Sequence, residues 1–379
     1  MGMAGGGKDS LIGVVHRVAA QMDGDIELVC GAFSSTRQKA RESGLDLRLP
    51  PDRVYNTYRE MFRREAKLAA SQRMDFVSIV TPNNMHYPVS MAALDGGFHV
   101  VCEKPMTLTL DEAQNLARKI NQTGRLFCVT HNLTGIRMVR EAREMVAGGS
   151  LGRVRRVVVE HPQGWLASRL ETTGHKQAAW RTDPRRMGAS GCISDIGEHC
   201  AFLAEYVTGS PVSEVSADLT TFVKGRPLDD DGSVLLRFGN GSTGVLWVSQ
   251  IAVGEMHGLR MRVYGEKGTV EWRESDANAL RIVWADRPTE VIRRVSPSSP
   301  GMDAGGMPLP GGRLDSRLDS FAVIYRSFAK TVGQVLSGQE VAPEEYGFPG
   351  VKEGTRGVLF LEAVRESVHS QAKWIKVGS

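Results

Sequence analysis

The chain has 379 residues, 41% of them hydrophobic and 24% charged, the balance of a folded globular protein with more length than one ordinary core needs. Its formal charge of +4 is thinly spread, and the arginine pairs at 63–64, 155–156 and 185–186 stand far apart, so no nucleic-acid footprint is expected. Five cysteines without a CxxC pair exclude a disulfide framework and a zinc cage; no apolar run is long enough to span a bilayer, no secretory leader pattern opens the chain, and a cytoplasmic setting is expected.

The chain opens with Gly5-Gly6-Gly7-Lys8-Asp9-Ser10-Leu11-Ile12-Gly13. Glycines at 5, 7 and 13 let backbone approach a pyrophosphate, and the helix that follows offers N–H groups to it. The spacing is G-x-G-x5-G, a stretched form of the usual fingerprint. Alone it reads equally well as a glycine-rich terminus; the strand–helix alternation after it selects the dinucleotide loop. Only Met1-Gly2-Met3-Ala4 precede the glycines, fewer than a usual strand of about five residues. Either the first strand is very short or the natural start lies upstream, and the second is the expectation.

Four uniformly apolar runs follow, at residues 26–33, 76–80, 98–102 and 126–130. Uniform rather than alternating hydrophobicity predicts strands buried on both faces of a parallel sheet. Helices are expected at 36–42, 58–70, 86–96 and 110–123, the last opened by a capping box from Thr109 to Glu112. The alternation predicts a doubly wound sheet over residues 1–131, with ligands beyond the carboxyl ends of the strands. Each polar turn at such an end is then a candidate wall. These turns are Ser34-Ser35-Thr36-Arg37, Thr81-Pro82-Asn83 with His86 beyond it, Glu103-Lys104-Pro105, and His131-Asn132. An acid normally closes the second strand to hold ribose hydroxyls. Here Ser34, Ser35 and Arg37 stand instead, so NAD and NADP are both open.

Residues 132–379 have another texture. Strands are expected at 154–160, 214–223, 233–238, 243–251, 259–264 and 269–272, several alternating apolar with polar, and Asn240-Gly241 signals a hairpin. They predict an α+β domain with a large, mainly antiparallel, open-faced sheet and a helix at 193–206. Leu246 and Val248 share a side with Gln250 and are expected on the face turned away from the domain's own core. Residues 296–312, rich in Ser, Pro and Gly, read as a loop, and 314–336 as a closing helix. No repeat is found. No His, Cys, Asp or Glu set has metal-ligand spacing, so no metal is expected.

Glu103-Lys104-Pro105 after a strand, then Asp195-Ile196-Gly197-Glu198-His199 and Val263-Tyr264-Gly265-Glu266-Lys267-Gly268-Thr269, resemble the Gfo/Idh/MocA oxidoreductase family over nearly the whole chain. The longer glycine loop and Val129-Thr130-His131-Asn132 resemble a subgroup with levoglucosan dehydrogenase-like enzymes. The resemblance implies an NAD(P)-dependent dehydrogenase or reductase of sugars, inositols and related polyols. It assigns catalysis to Lys104, Asp195 and His199 and implies a homodimer or homotetramer.

Chemistry agrees. Oxidising a ring secondary alcohol needs a hydride acceptor, a base for the hydroxyl proton and a donor that holds the oxygen. Asp195 and His199, four apart on an expected helix, share a face. Lys104 stands where a nicotinamide is expected. Singly each reads as well as a surface lysine, a capping acid or a satisfied helix histidine; together they form a site. Cofactor contacts are expected from Gly5, Gly7, Gly13, Ser34, Ser35, Arg37, Thr81, Pro82, Asn83, His86, Glu103 and Lys104, with His16 positioning the loops. Substrate contacts are expected from Lys104, His131, Asn132, Trp165, Trp180, Arg181, Asp195 and His199. Two rival functions use the same fold. One is a glycosidase with a tightly held NAD and redox-neutral turnover; the other is a non-catalytic dinucleotide-binding regulator, which needs none of the three catalytic residues.

Overall fold

The computed structural model describes residues 1–8, 10–293 and 316–378. They form two compact units. The first unit holds residues 1–135 and takes back 316–355; the second holds 136–293 and 356–378.

In the first unit, strands β1 (Gly2–Gly5), β2 (Cys30–Ala32), β3 (Phe76–Val80), β4 (His99–Cys102) and β5 (Phe127–Val129) form a parallel sheet in the order β2-β1-β3-β4-β5. Helices α1 (Leu11–Gln21), α2 (Arg37–Asp46), α3 (Tyr58–Glu65), α4 (His86–Asp95) and α5 (Leu110–Thr123) join or flank them. The chain turns to opposite sides after β1 and β2, which makes the carboxyl end of β1 a topological switch point. β2 is shorter than the apolar run 26–33, pairing with β1 only from Cys30 on; before it, Val29 N–H donates to the Met1 carbonyl and the Met1 ammonium donates to the Glu27 carbonyl (2.6 Å). At α5, Thr109 Oγ1 accepts from Glu112 N–H, while Glu112 Oε2 accepts from Leu108 N–H rather than from Thr109 itself. The box is closed one residue early.

The second unit contains α6 (Arg137–Ala147), β6 (Val154–Pro162), α7 (Lys176–Arg181), α8 (Pro184–Met187), a π turn at Ile193–Gly197 and α9 (Glu198–Thr208). Strands β7 (Val212–Thr220), β8 (Asp231–Phe238), β9 (Thr243–Ser249), β10 (Arg260–Gly265), β11 (Gly268–Arg273), β12 (Ala279–Trp284) and β13 (Glu290–Arg293) follow. Among the described residues one nine-stranded sheet runs β13-β12-β11-β10-β6-β9-β8-β7-β14, with β14 at Ile375–Lys376. All its pairings are antiparallel except β6 with β9, which closes the sheet around a parallel centre. The Asn240-Gly241 hairpin joins β8 to β9, with Gly241 at φ +83 as such a turn requires.

Alternation along β8 and β9 buries Val234, Leu236, Phe238, Leu246 and Val248 on the face where α9 packs against β6 and the π turn meets β9. Leu246 and Val248 therefore point to the covered face, a correction to the sequence expectation; the open face carries Leu235, Val245 and Trp247. One residue of register decides the side.

Two helices complete the chain. α10 (Ser316–Leu336) packs Phe321, Tyr325 and Phe328 into the core of the first unit, and α11 (Val351–His369) begins in the first unit and ends in the second. The loop read at 296–312 lies outside the described residues.

Candidate active site

In the first unit every expected cofactor residue stands at the carboxyl end of a strand or just beyond it. The glycine loop leaves β1, with Gly5 and Gly6 at φ +83 and +69, a left-handed backbone that other residues rarely adopt. A Cβ on Gly7 would lie 2.7 Å from the Phe33 carbonyl, and one on Gly13 would lie 2.4 Å from Gly6 Cα. The loop is thus pressed against both β2's end and the first turn of α1. Ser10 caps α1 by accepting from Gly13 N–H (3.2 Å), and the helix's own ladder starts at Val14 N–H to Ser10 O. The N–H groups of Leu11 and Ile12 precede that ladder, in the way an anion-binding helix start presents them. Arg17 donates to the Gly6 carbonyl and holds the loop from below. This cradle, built of glycines that no side chain could replace, fits a dinucleotide pyrophosphate.

At the end of β2, Ser34 Oγ accepts from Thr36 N–H (3.2 Å), and Arg37, exposed, opens α2. No acid stands in this turn. After β3, Thr81 and Pro82 are half-buried and Asn83 is buried. His86 is buried with Nδ1 2.7 Å from the Pro105 carbonyl and Nε2 3.0 Å from the Thr81 carbonyl. Burial holds its pKa below the ordinary histidine value. The ring ties the end of β3 to the end of β4, so its part in the cradle is positional.

Glu103 sits at the centre of a buried network. His16 Nε2–H donates to its Oε1 (2.8 Å), and so does the Thr130 hydroxyl (2.7 Å). His16 Nδ1 lies 2.7 Å from the Tyr325 hydroxyl, which also bonds Ser78 Oγ (2.7 Å). Burial pushes the Glu103 carboxyl up, but His16, Lys104 and the Thr130 hydroxyl outweigh it and bring the pKa down to about 2. Glu103 is therefore an ionised anchor. It fixes the turn that carries Lys104, whose own N–H donates to Glu103 Oε2 (3.3 Å). His131, at the end of β5, is fully buried; desolvation and then the Lys104 charge bring its pKa down to about 3, so it is neutral. Asn132 donates to Ser320 Oγ on α10 (3.0 Å) and serves to hold that helix.

In the second unit the substrate candidates are linked by direct contacts. Asp229 accepts from Gly191 N–H (2.6 Å) and Ile193 N–H (2.9 Å) and so fixes the start of the π turn. Gly197 lets the Ile193 side chain pack close, since a Cβ there would meet Ile193 Cδ1 at 2.4 Å and displace it. The expected single helix at 193–206 is thus a π turn followed by α9, with the Glu198 N–H reaching back to Ile193 O. Such turns commonly mark functional positions, where the extra residue re-aims side chains. Asp195 lies in the π turn and is 9% exposed; His199, half-buried, lies in the first turn of α9.

Asp195 Oδ2 accepts from Arg181 Nε (3.0 Å) and Gln250 Nε2 (2.8 Å). Arg181 also donates to Gln177 Oε1 (2.6 Å) and lies over the Trp180 ring at 4.2 Å and near Trp165 at 5.9 Å. Trp165 donates to Gln163 Oε1 (3.0 Å). Trp165, Trp180, Arg181 and Asp195 thus form one patch of aromatic faces around a gripped carboxylate. Sequence reasoning missed Tyr325, Ser78, Gln163, Gln177 and Gln250. For Gln250 a signal existed, since a polar residue ends an alternating strand on its covered side.

Comparison with known proteins agrees with both halves. The family model described as "Oxidoreductase family, NAD-binding Rossmann fold" matches residues 1–131, and that of the "GFO/IDH/MocA C-terminal domain" matches residues 139–271. An uncharacterized oxidoreductase, YfiI of Bacillus subtilis, is 30% identical over 99% of this chain and 95% of its own length. The crystal structure of an inositol dehydrogenase homolog from Azotobacter vinelandii, complexed with NADH and myo-inositol, is 31% identical with a TM-score of 0.87, covering 99% of this chain and 96% of that one. Levoglucosan dehydrogenase of Pseudarthrobacter phenanthrenivorans is 25% identical over 55% of this chain and 58% of that protein, a weaker likeness. The chain belongs to the Gfo/Idh/MocA family of NAD-binding oxidoreductases.

Proposed function

We propose that the protein transfers a hydride between a ring secondary alcohol of an inositol, sugar or anhydrosugar and NAD or NADP. The observation that supports this most is the Asp195 carboxylate, gripped at Oδ2 by Arg181 and Gln250 on a π turn that also leads to His199. The relatives complexed with myo-inositol or named for levoglucosan support the same substrate class.

Gly5, Gly7 and Gly13 hold the pyrophosphate, and Ser34, Ser35 and Arg37 face the adenosine ribose. With no acid there, a 2′-phosphate meets no repulsion. Thr81, Pro82, Asn83 and the Glu103-Lys104 turn border the nicotinamide half, steadied by His86. When bound, the nicotinamide supplies the hydride acceptor. His199 takes the hydroxyl proton, Asp195 orients it or accepts from a neighbouring hydroxyl, and the Lys104 ammonium steadies the oxygen as charge develops. Trp165, Trp180 and Arg181 offer aromatic faces and a guanidinium to the ring, and His131 and Asn132 border the substrate. The residue ranges 1–131 and 132–379 divide these tasks between cofactor and substrate.

The open face of the large sheet supports a homodimer or homotetramer. Val158, Val245 and Leu235 stand in one cross-strand row on that face, and Leu235 is 44% exposed. An apolar row of this kind is what a second copy would cover.

The test is a panel of inositols, sugars and anhydrosugars incubated with NAD+ and with NADP+ and read by nicotinamide absorbance. Reduction with at least one ring polyol is expected, and His199→Ala lowers kcat by roughly 100- to 10,000-fold while cofactor affinity is kept. No reduction by any of them, or a His199→Ala enzyme at wild-type rate, contradicts the proposal.

A further inference from the structure

A second constellation stands in the second unit, joined to the Trp165 patch through Gln163, which meets both Trp165 and His161. His161, near the end of β6, His257, in the loop before β10, and Glu274, immediately after β11, present ligand atoms that all lie within 4.8 Å of one another. Their positions in the chain are far apart, so no spacing rule reveals them, and the expectation of no metal rested on spacing alone. The fold assembles them.

We propose that His161, His257 and Glu274 bind one divalent cation of the zinc class, with solvent completing the coordination. Two imidazoles and a carboxylate are a donor set that suits Zn2+ and fits Mg2+ poorly. In a tetrahedral zinc site with bonds of about 2.0–2.1 Å, neighbouring ligand atoms are about 3.4 Å apart. The observed separations therefore close by at most about 1.4 Å, within the reach of side-chain rotation alone.

The backbone already holds the three ligands in register. Gly258 N–H donates to the Pro162 carbonyl (3.0 Å), which joins the neighbours of His257 and His161. Glu274 N–H donates to the Leu259 carbonyl (2.8 Å), which joins the third ligand to the same loop. Ala252 N–H to Gln163 O and Gly164 N–H to Glu255 O fasten the loop's other end. A Cβ on Gly258 would lie 2.6 Å from Pro162 Cγ, so the close approach depends on glycine there.

The burial gradient also suits an ion that enters from solvent. His161 is 7% exposed, Glu274 is half-buried and His257 is exposed. The Gln163 amide Nε2 donates to His161 Nε2 (3.0 Å), which fixes the orientation of that ring. A bound ion would pin the 252–258 loop to β6 and β11.

Tag-free protein freed of metal is titrated calorimetrically with ZnCl2 and, separately, with MgCl2, beside His257→Ala and Glu274→Gln. The five cysteines are all buried, so thiols do not compete for the ion. One Zn2+ per chain with no Mg2+ response is expected, together with a Zn2+-dependent rise in melting temperature. Both variants should bind Zn2+ at least tenfold more weakly and lose that rise. NAD binding in each variant checks that the chain is folded, and if one variant fails that check the other decides. Wild-type protein that takes up no Zn2+, or a folded variant that binds it as tightly as wild type, overturns the site.

Discussion

Glu103 shows how a short motif becomes a charged anchor. The EKP tripeptide is legible in the sequence, yet what makes Glu103 ionised in a buried place is His16, Thr130 and, beyond His16, Tyr325, which lies 309 positions along the chain from His16. A residue's type and turn can be read from its neighbours in sequence. Its electrostatic state depends on partners that only the fold supplies. His99 makes the same point with a measurable consequence. Burial and then the Arg125 and Arg73 charges bring its pKa down to about 4, and its Nδ1 accepts from Leu126 N–H (2.9 Å). With a folded pKa below the unfolded value of about 6.5, its contribution is intact above pH 6.5 and is lost as pH falls through 4, roughly 3 kcal/mol in all. Urea unfolding across that range should show the loss, and His99→Asn, whose oxygen can accept the same N–H without titrating, should flatten it. An equal pH slope in wild type and variant would refute this reading of His99.

At the scale of elements, the apolar runs placed four of the first unit's five strands, and the Asp195–His199 motif placed the helical segment at the site. Their ends were decided by partners: β2 pairs with β1 only from Cys30 on, and the helix of that motif is split by Asp229's grip on its first turn. The face of β9 turned on one residue of register. Nothing local in the sequence indicates that α10 packs into the first unit, and α11 lies beyond the last element its pattern predicts. Their contacts reach back across most of the chain, where no local pattern records them.

Around the Trp165 loop the decisive element contact is Arg226, 1% exposed at its side chain. It donates to Asp230 (3.1 Å), Glu171 (3.2 Å) and the carbonyls of Leu166 and Ser168 (3.0 and 3.1 Å). Removing it leaves a buried carboxylate without its cation. Arg226→Ala is expected to lower unfolding free energy by about 3–5 kcal/mol, read from urea or thermal unfolding. A loss under about 1 kcal/mol, the size of an exposed pair, would show that the cluster does not hold the loop.

On the scale of the whole molecule, the two family-matched parts lie in two units, and the open sheet face sets one apolar row among charged pairs such as Arg262–Glu160 and Arg237–Glu214. Leu235→Glu places a charge in the Val158–Val245–Leu235 row and, if the proposed copy-to-copy interface lies there, shifts sedimentation toward monomer. A wild type that is already monomeric at working concentration contradicts a copy-to-copy interface there. Fold class, family and cofactor class were all legible in the sequence, because buried parallel strands, a glycine turn and two short motifs are local. The His161, His257 and Glu274 set was not, because only the sheet brings it together.

Net hydride transfer is the central claim, and it is tested most directly with an inositol or sugar carrying deuterium at the reacting carbinol carbon. Mass spectrometry of the cofactor after turnover with NAD+ is predicted to find the deuterium in NADH, one per ketone formed, with both products lost in His199→Ala. Turnover of the labelled compound that leaves NAD+ unlabelled and unreduced would contradict the account.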